Sequence, residues 1–300
     1  MEKKDFYEHI FWNNLKTYIL IAGFCLFIIL LGWVFGAVFF GSPIFGMSLA
    51  FIFAVVFTAI GFMSGNRMIL SLSKAKEIKK KDDPFLWNTV EGLSLAAGIP
   101  MPKVYLIKET SINAFATGRN PENAAVTITT GARERLKRQE LEGVLAHEIG
   151  HILNYDIRYM MLVTILIGIV ALLSDFMLHS FLWGGGRRRE GGGGQLILIV
   201  IAIALAILAP FIAQLIRFAV SRKREYLADA TGAKLTRYPF GLADALENIK
   251  NDHDKVVDTA NKATAHLYIE NPLRNAKGWT NSLFATHPPI DERIKRLRAM

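Results

Sequence analysis

Fifty consecutive residues, Thr17–Asn66, carry no charged side chain. Such a run is too long for a single bilayer crossing. Gly41-Ser42-Pro43 interrupts it where a turn is needed, because glycine and proline punctuate helices. The halves, Thr17–Phe40 and Ile44–Met63, each approach the ~20 apolar residues that span a hydrocarbon core. The sequence therefore predicts a transmembrane helical hairpin. A second apolar pair follows, Tyr159–Trp183 and Gln195–Ile216, joined by the glycine-rich loop Gly184–Gly194 with Arg187, Arg188 and Arg189. The expectation is four transmembrane helices.

Hydrophobic residues make up 52% of the 300, yet the chain also holds 35 Lys and Arg against 26 Asp and Glu. Apolar mass and charge must be segregated along the chain, as in a membrane protein with water-facing portions. The net charge of +9 comes with no zinc-finger, RNP or basic-helix pattern, so nucleic acid is not expected as a partner. The expected partners are the lipid bilayer and polypeptide substrates. Cys25 is the one cysteine, so no intrachain disulfide can form. The segment before Thr17 contains acidic residues, and no small-residue cleavage site follows the apolar stretch, which predicts an anchor rather than a removed signal. Most Lys and Arg lie in Ser64–Tyr155 and Arg217–Met300. Positive charge favours the cytoplasmic side, and each hairpin returns the chain to its starting side. Both segments are thus expected in the cytoplasm, on a multi-pass protein of the inner or plasma membrane.

The first water-facing segment alternates helix and strand signals. Asp83-Pro84 starts a helix that Gly98 and Pro100 end. Val104–Ile107, Asn113–Thr117 and Ala124–Thr130 are rich in β-branched and aromatic residues and predict strands. A charged stretch leads into a helix from about Gln139 to Tyr155 that contains His147-Glu148-Ile149-Gly150-His151. Histidines at i and i+4 share a helix face about 6 Å apart and can close on one zinc ion. Glu148 lies beside them, where it can accept a proton from water. Chance alone produces H-E-x-x-H in roughly one chain in a hundred of this length. Leu141, Val144, Leu145, Ile149 and Ile152 give this helix an apolar back. The second water-facing segment reads as helical throughout, its last helix starting at Pro288-Pro289 and running through Arg298.

A catalytic zinc ion needs a third protein ligand and an open position. No third histidine follows closely. Glu225 and Asp229 sit one turn apart in Arg224-Glu225-Tyr226-Leu227-Ala228-Asp229. Glu225 can ligate while Asp229 accepts the ring N–H of a ligating histidine and fixes its tautomer. The bland alternative is that both pair with Arg222, Lys223 or Arg224 on a solvated face.

With HEIGH, the EYLAD box, Asn113-Ala114-Phe115-Ala116 and Thr286-His287-Pro288-Pro289 with Arg293, the chain resembles the HtpX-type heat-shock membrane peptidases, relatives of the CAAX prenyl proteases. The match spans almost the whole chain. The resemblance implies an α+β membrane protein: four transmembrane helices plus a gluzincin-like zinc peptidase domain, mainly helical with a small sheet. It further implies one catalytic Zn2+ on His147, His151 and Glu225, with Glu148 as general base. An edge strand beside the active-site helix would pair with extended substrate, a role for Asn113, Ala114, Phe115 and Ala116 or for Ala124–Thr130. His287 is read as a donor to the developing oxyanion rather than a fourth ligand, which would close the site. Arg293, about two turns into the final helix, orients it or binds the substrate main chain.

The expected organisation is 1–63 for the N-terminal segment and first hairpin, 64–156 for the first catalytic part, 157–216 for the second hairpin, and 217–300 for the second catalytic part. The function so read is a zinc endopeptidase cutting membrane-protein or unfolded substrates in stress response and quality control. The alternative is a non-proteolytic zinc-containing membrane scaffold or adaptor. The intact Glu148 opposes it, since a structural site needs no non-ligating carboxylate there. A metal transporter would line its spans with His, Asp or Glu, and three of the four carry none.

Overall fold

The computed structural model describes residues 3–184, 222–254, 256–260, 263–270, 272 and 288–300. Helix α1 (Lys3–Phe39) and α2 (Pro43–Leu72) form the predicted hairpin. Gly41 makes the turn at φ +62°, the Ser42 hydroxyl accepts the Phe45 N–H at 3.3 Å, and Pro43 occupies the first turn of α2. These are the capping and helix-starting roles their chemistry favours. The two helices touch at glycines: a Cβ on Gly46 would lie 2.2 Å from the Gly32 carbonyl oxygen. Small residues at such crossings let backbones approach closely in lipid. Phe11–Ala37 and Pro43–Leu72 are the two described helices long and apolar enough to cross a membrane. Leu26, Leu30, Phe51, Ile52 and Ile60 point outward from them.

α2 continues nine residues beyond Met63, where the sequence suggested that the water-facing part begins. Gly61 just before this extension and Gly65 within it lie against Ile165 of α6 (Asp156–Gly184), and that packing carries the helix onward. The expected third span, Tyr159–Trp183, falls within α6. The fourth, Gln195–Ile216, and the Arg-bearing loop lie outside the described residues.

The water-facing part is built on a four-stranded sheet of order β1-β2-β4-β3, with β1 Lys76–Glu77, β2 Lys103–Ile107, β3 Ala114–Gly118 and β4 Ala124–Thr129. β2 and β4 are parallel, and the other two pairings are antiparallel. Three strands are those predicted. The two-residue β1 has no sequence signature and exists because β2 offers it a partner. Helix α3 (Pro84–Ala97) begins where the Asp83 carboxylate accepts the Leu86 N–H and ends at Gly98, left-handed at φ +67°. A short α4 (Thr130–Arg135) precedes α5 (Arg138–Leu153).

α5 is the central element. One side rests on β3 and β4, the other on α7 (Arg222–Thr236) and α8 (Pro239–Lys250). Its expected apolar back, Leu141, Val144, Leu145, Ile149 and Ile152, is buried throughout. The final helix α9 (Ile290–Arg298) starts after Pro288-Pro289 as predicted and covers α7 and α8.

The expectation of helix throughout the second water-facing segment fails in the described residues from 251 to 270. Described residues there run as turns and one short 3-10 turn, Ala265–Leu267. Asp252 draws this stretch to the sheet by accepting the Ile112 N–H at 2.9 Å and pairing with Arg135 at 2.8 Å. The Ile269 N–H donates to the Ala114 carbonyl at 2.9 Å. These long-range partners hold the backbone outside helical geometry.

Candidate active site

His147, Glu148 and His151 project from α5 and are 1%, 1% and 4% exposed. One helical turn brings the histidine Nε2 atoms to 3.2 Å of each other. α7 supplies Glu225, whose carboxylate lies 3.8 Å from His147 Nε2 and 3.6 Å from His151 Nε2. Close approach of the two helices makes this possible: a Cβ on Gly232 would lie 3.1 Å from the His147 backbone nitrogen. One ligand atom from each of His147, His151 and Glu225 falls within 4.8 Å of the others. Two nitrogens bound at 2.0–2.1 Å to one tetrahedral ion stand about 3.3 Å apart, so the imidazole spacing suits zinc. Two nitrogens and one carboxylate also form the donor set of catalytic zinc sites with an open fourth position.

The outer nitrogen of each imidazole is held by its own carboxylate. His147 Nδ1 donates to Asp229 Oδ1 at 2.9 Å, the pairing expected for Asp229. His151 Nδ1 donates to Asp156 Oδ2 at 3.0 Å. Both contacts turn Nε2 inward and set the tautomer that a metal requires. Asp156 escaped the sequence reading. Its signal was an acidic residue five positions after His151, at the entry to an apolar run, which resembles an ordinary helix start.

Arg293 is 1% exposed, and its guanidinium grips Asp229 with two hydrogen bonds, 3.0 and 2.7 Å, a fork-to-carboxylate geometry. It also lies 3.7 Å from Glu225 and donates to the Ile269 carbonyl at 3.3 Å. The sequence offered it His287 or the substrate as partners; among the described residues it reaches Asp229, Glu225 and the Ile269 carbonyl. His287 lies outside the described residues.

Burial drives the His147 pKa down to about 4, only partly opposed by Asp229. His151 is buried as deeply, yet its hydrogen bond to Asp156 and the charges of Glu225, Asp156 and Glu148 outweigh desolvation and lift it to about 9. Burial would raise Asp229, but Arg293 and His147 hold it at about 2. The pocket thus collects negative charge around inward-facing nitrogens, an environment that attracts a cation.

β3, beside α5, is the edge strand of the pair left open by the sequence; β4 is internal. Asn113 precedes it, donating its side-chain amide to the Glu270 carbonyl at 3.0 Å. Ala114, Phe115 and Ala116 are buried, Phe115 in edge contact with Tyr268 at 5.0 Å between ring centres.

The sequence profile of Peptidase family M48 matches residues 80–300. The chain belongs to peptidase family M48. A protease HtpX homolog of Dictyoglomus thermophilum is 44% identical over 300 residues, covering 100% of this chain and 96% of its own. A protease HtpX homolog of Listeria monocytogenes is 42% identical over 304 residues, covering 98% and 99%. The crystal structure of S. mikatae Ste24p is a looser likeness, 21% identical at a TM-score of 0.48, over 98% of this chain and 66% of that one. With two membrane-length apolar helices ahead of the M48 region and the H-E-x-x-H helix within it, the M48 chain is a membrane-associated zinc metalloprotease.

Proposed function

We propose that this M48 protease is a four-span, cytoplasm-facing endopeptidase that cuts membrane proteins and unfolded polypeptides in quality control. One observation carries the reading: two imidazoles from α5 and a carboxylate from α7 converge at ligand spacing, with Glu148 on the same helix. His147, His151 and Glu225 hold one zinc ion, and Asp229 orients His147. The chemistry that zinc supplies at such a set is polarisation of a peptide carbonyl and activation of water near neutral pH. Glu148 takes the proton from the attacking water and delivers it to the leaving amine. His287 donates to the developing oxyanion. Arg293, held on Asp229, keeps that carboxylate ionised. The division at 63, 156 and 216 follows, with two catalytic parts separated by the second hairpin.

β3 is the proposed docking edge for extended substrate. Its Ala114 carbonyl is already engaged by Ile269, so a pairing substrate displaces the 265–270 segment at that position. Glu148→Gln tests the core of the mechanism, since glutamine keeps the shape but accepts no proton. The purified variant is expected to retain stoichiometric zinc and lose cleavage of casein or a membrane-protein substrate; preserved cleavage removes Glu148 from the mechanism.

A further inference from the structure

Asp156 is 0% exposed and stands at the first position of α6, just beyond the 82° bend from α5. Its Oδ2 is committed to His151. A buried carboxylate must satisfy both oxygens, and Oδ1 receives the Asn13 side-chain amide at 2.8 Å. The same Asn13 nitrogen donates to the Asn154 carbonyl at 3.1 Å. Both neighbours are acceptors, so only the NH2 end of the amide can face them. Asn13 is itself buried, two residues inside the first candidate span, Phe11–Ala37. Among the described residues Arg224 also approaches Asp156 Oδ1, at 3.7 Å, and the charge of Lys16 acts on the same carboxylate. The next residue, Asn14, tethers the same two helices by accepting from Arg158 at 2.8 Å, but without reaching Asp156.

We infer that Asn13 is a positioning residue for the metal centre: by donating to Asp156 it fixes the carboxylate that orients His151. This ties zinc affinity to the seating of the first membrane helix. Without the amide, the described cation nearest Oδ1 is Arg224, and rotation toward it draws Oδ2 from the imidazole. His151 then loses the contact that points Nε2 at the site. More than 140 residues separate Asn13 from Asp156, so only α1 docked against α6 makes the contact. A catalytic part parted from α1 holds zinc less tightly although all three ligands remain.

The inference rests on the proposed ligand set, and the experiment separates the two. Zinc affinity of the full-length, detergent-purified protein is measured by competition with a chromogenic chelator. His151→Ala serves as the reference; if it binds zinc like the parent, the ligand set is wrong and the inference falls with it. With the ligand set intact, Asn13→Ala is expected to weaken zinc binding about tenfold, the lower end for outer partners of a metal site. Asn13→Asp, nearly the same shape but without a donor, is expected to lose up to about 100-fold. It carries the test should the alanine variant not be recovered folded. Asn14→Ala is expected to bind zinc like the parent. In an Asp156→Asn background, Asn13→Ala should cost nothing further, because residues acting through one contact are not additive. Parental zinc affinity in both Asn13 variants overturns the inference. So does equal loss in Asn14→Ala, or additivity with Asp156→Asn, since either would make Asn13 a packing residue.

Discussion

Arg293 is the largest side chain below 2% exposure in the described residues, and its charge is matched by the Asp229 carboxylate. Breaking a buried pair by deleting one partner leaves an uncompensated charge, typically at a cost of about 3–5 kcal/mol. Arg293→Ala is therefore expected to lower the melting temperature in detergent by several degrees and to weaken zinc binding. An unchanged melting temperature would show that water reaches Asp229. His287 is expected to act differently, because loss of one oxyanion donor typically slows turnover ~10²–10³-fold. His287→Ala should keep its zinc and its substrate affinity and lose kcat by about that factor. Zinc loss would make it a ligand, and unchanged turnover would leave it a bystander.

At the scale of elements, Asp83 joins α3 to α4. It caps α3 and pairs with Arg133 at 2.5 and 3.2 Å. Partial burial would raise its pKa, but the Arg133 and backbone hydrogen bonds hold it below the usual carboxylate value. A depressed folded-state pKa contributes stability above the unfolded pKa and loses it as pH falls through the folded one. Asparagine caps about as well as aspartate, so Asp83→Asn isolates the charge. At pH 7 the variant should be less stable by about 0.5–1 kcal/mol, as for partly exposed pairs. Thermal scans from pH 7 to 3 should show that gap closing below about pH 4. A gap independent of pH would mean that the ion pair contributes nothing. The boundaries of α3 were legible because Asp83-Pro84 and Gly98 act within one turn of the backbone. β1 and the described turns between 251 and 270 were not, because their partners lie far away in sequence.

For the whole molecule, the proposal is that the sheet, α5, α7 and α9 share the cytoplasmic side, as the Lys and Arg distribution requires. Single cysteines in place of exposed Lys108 and Lys295, in a Cys25→Ser background, should resist a membrane-impermeant thiol reagent in intact cells and react after lysis. Labelling of either in intact cells would overturn the topology. Labelling of one alone would also separate α5 from α7, whose His147, His151 and Glu225 converge.

The sequence by itself determined the apolar hairpin, the capped helices and the zinc-protease motif. Each is encoded locally: fifty uncharged residues, an Asp-Pro before a helix, and two histidines one turn apart with a glutamate between. Glu225 and Asp229 were legible for the same reason, as a one-turn carboxylate pair awaiting a partner helix. Asp156 and Asn13 carry no such mark. An aspartate at a helix start and an asparagine in a membrane helix are ordinary until α1, α5 and α6 meet. Only tertiary structure decided which carboxylate orients which histidine. Hydrogen bonds of about 3 Å depend on helix seating, and no residue spacing along the chain expresses a distance across 140 positions.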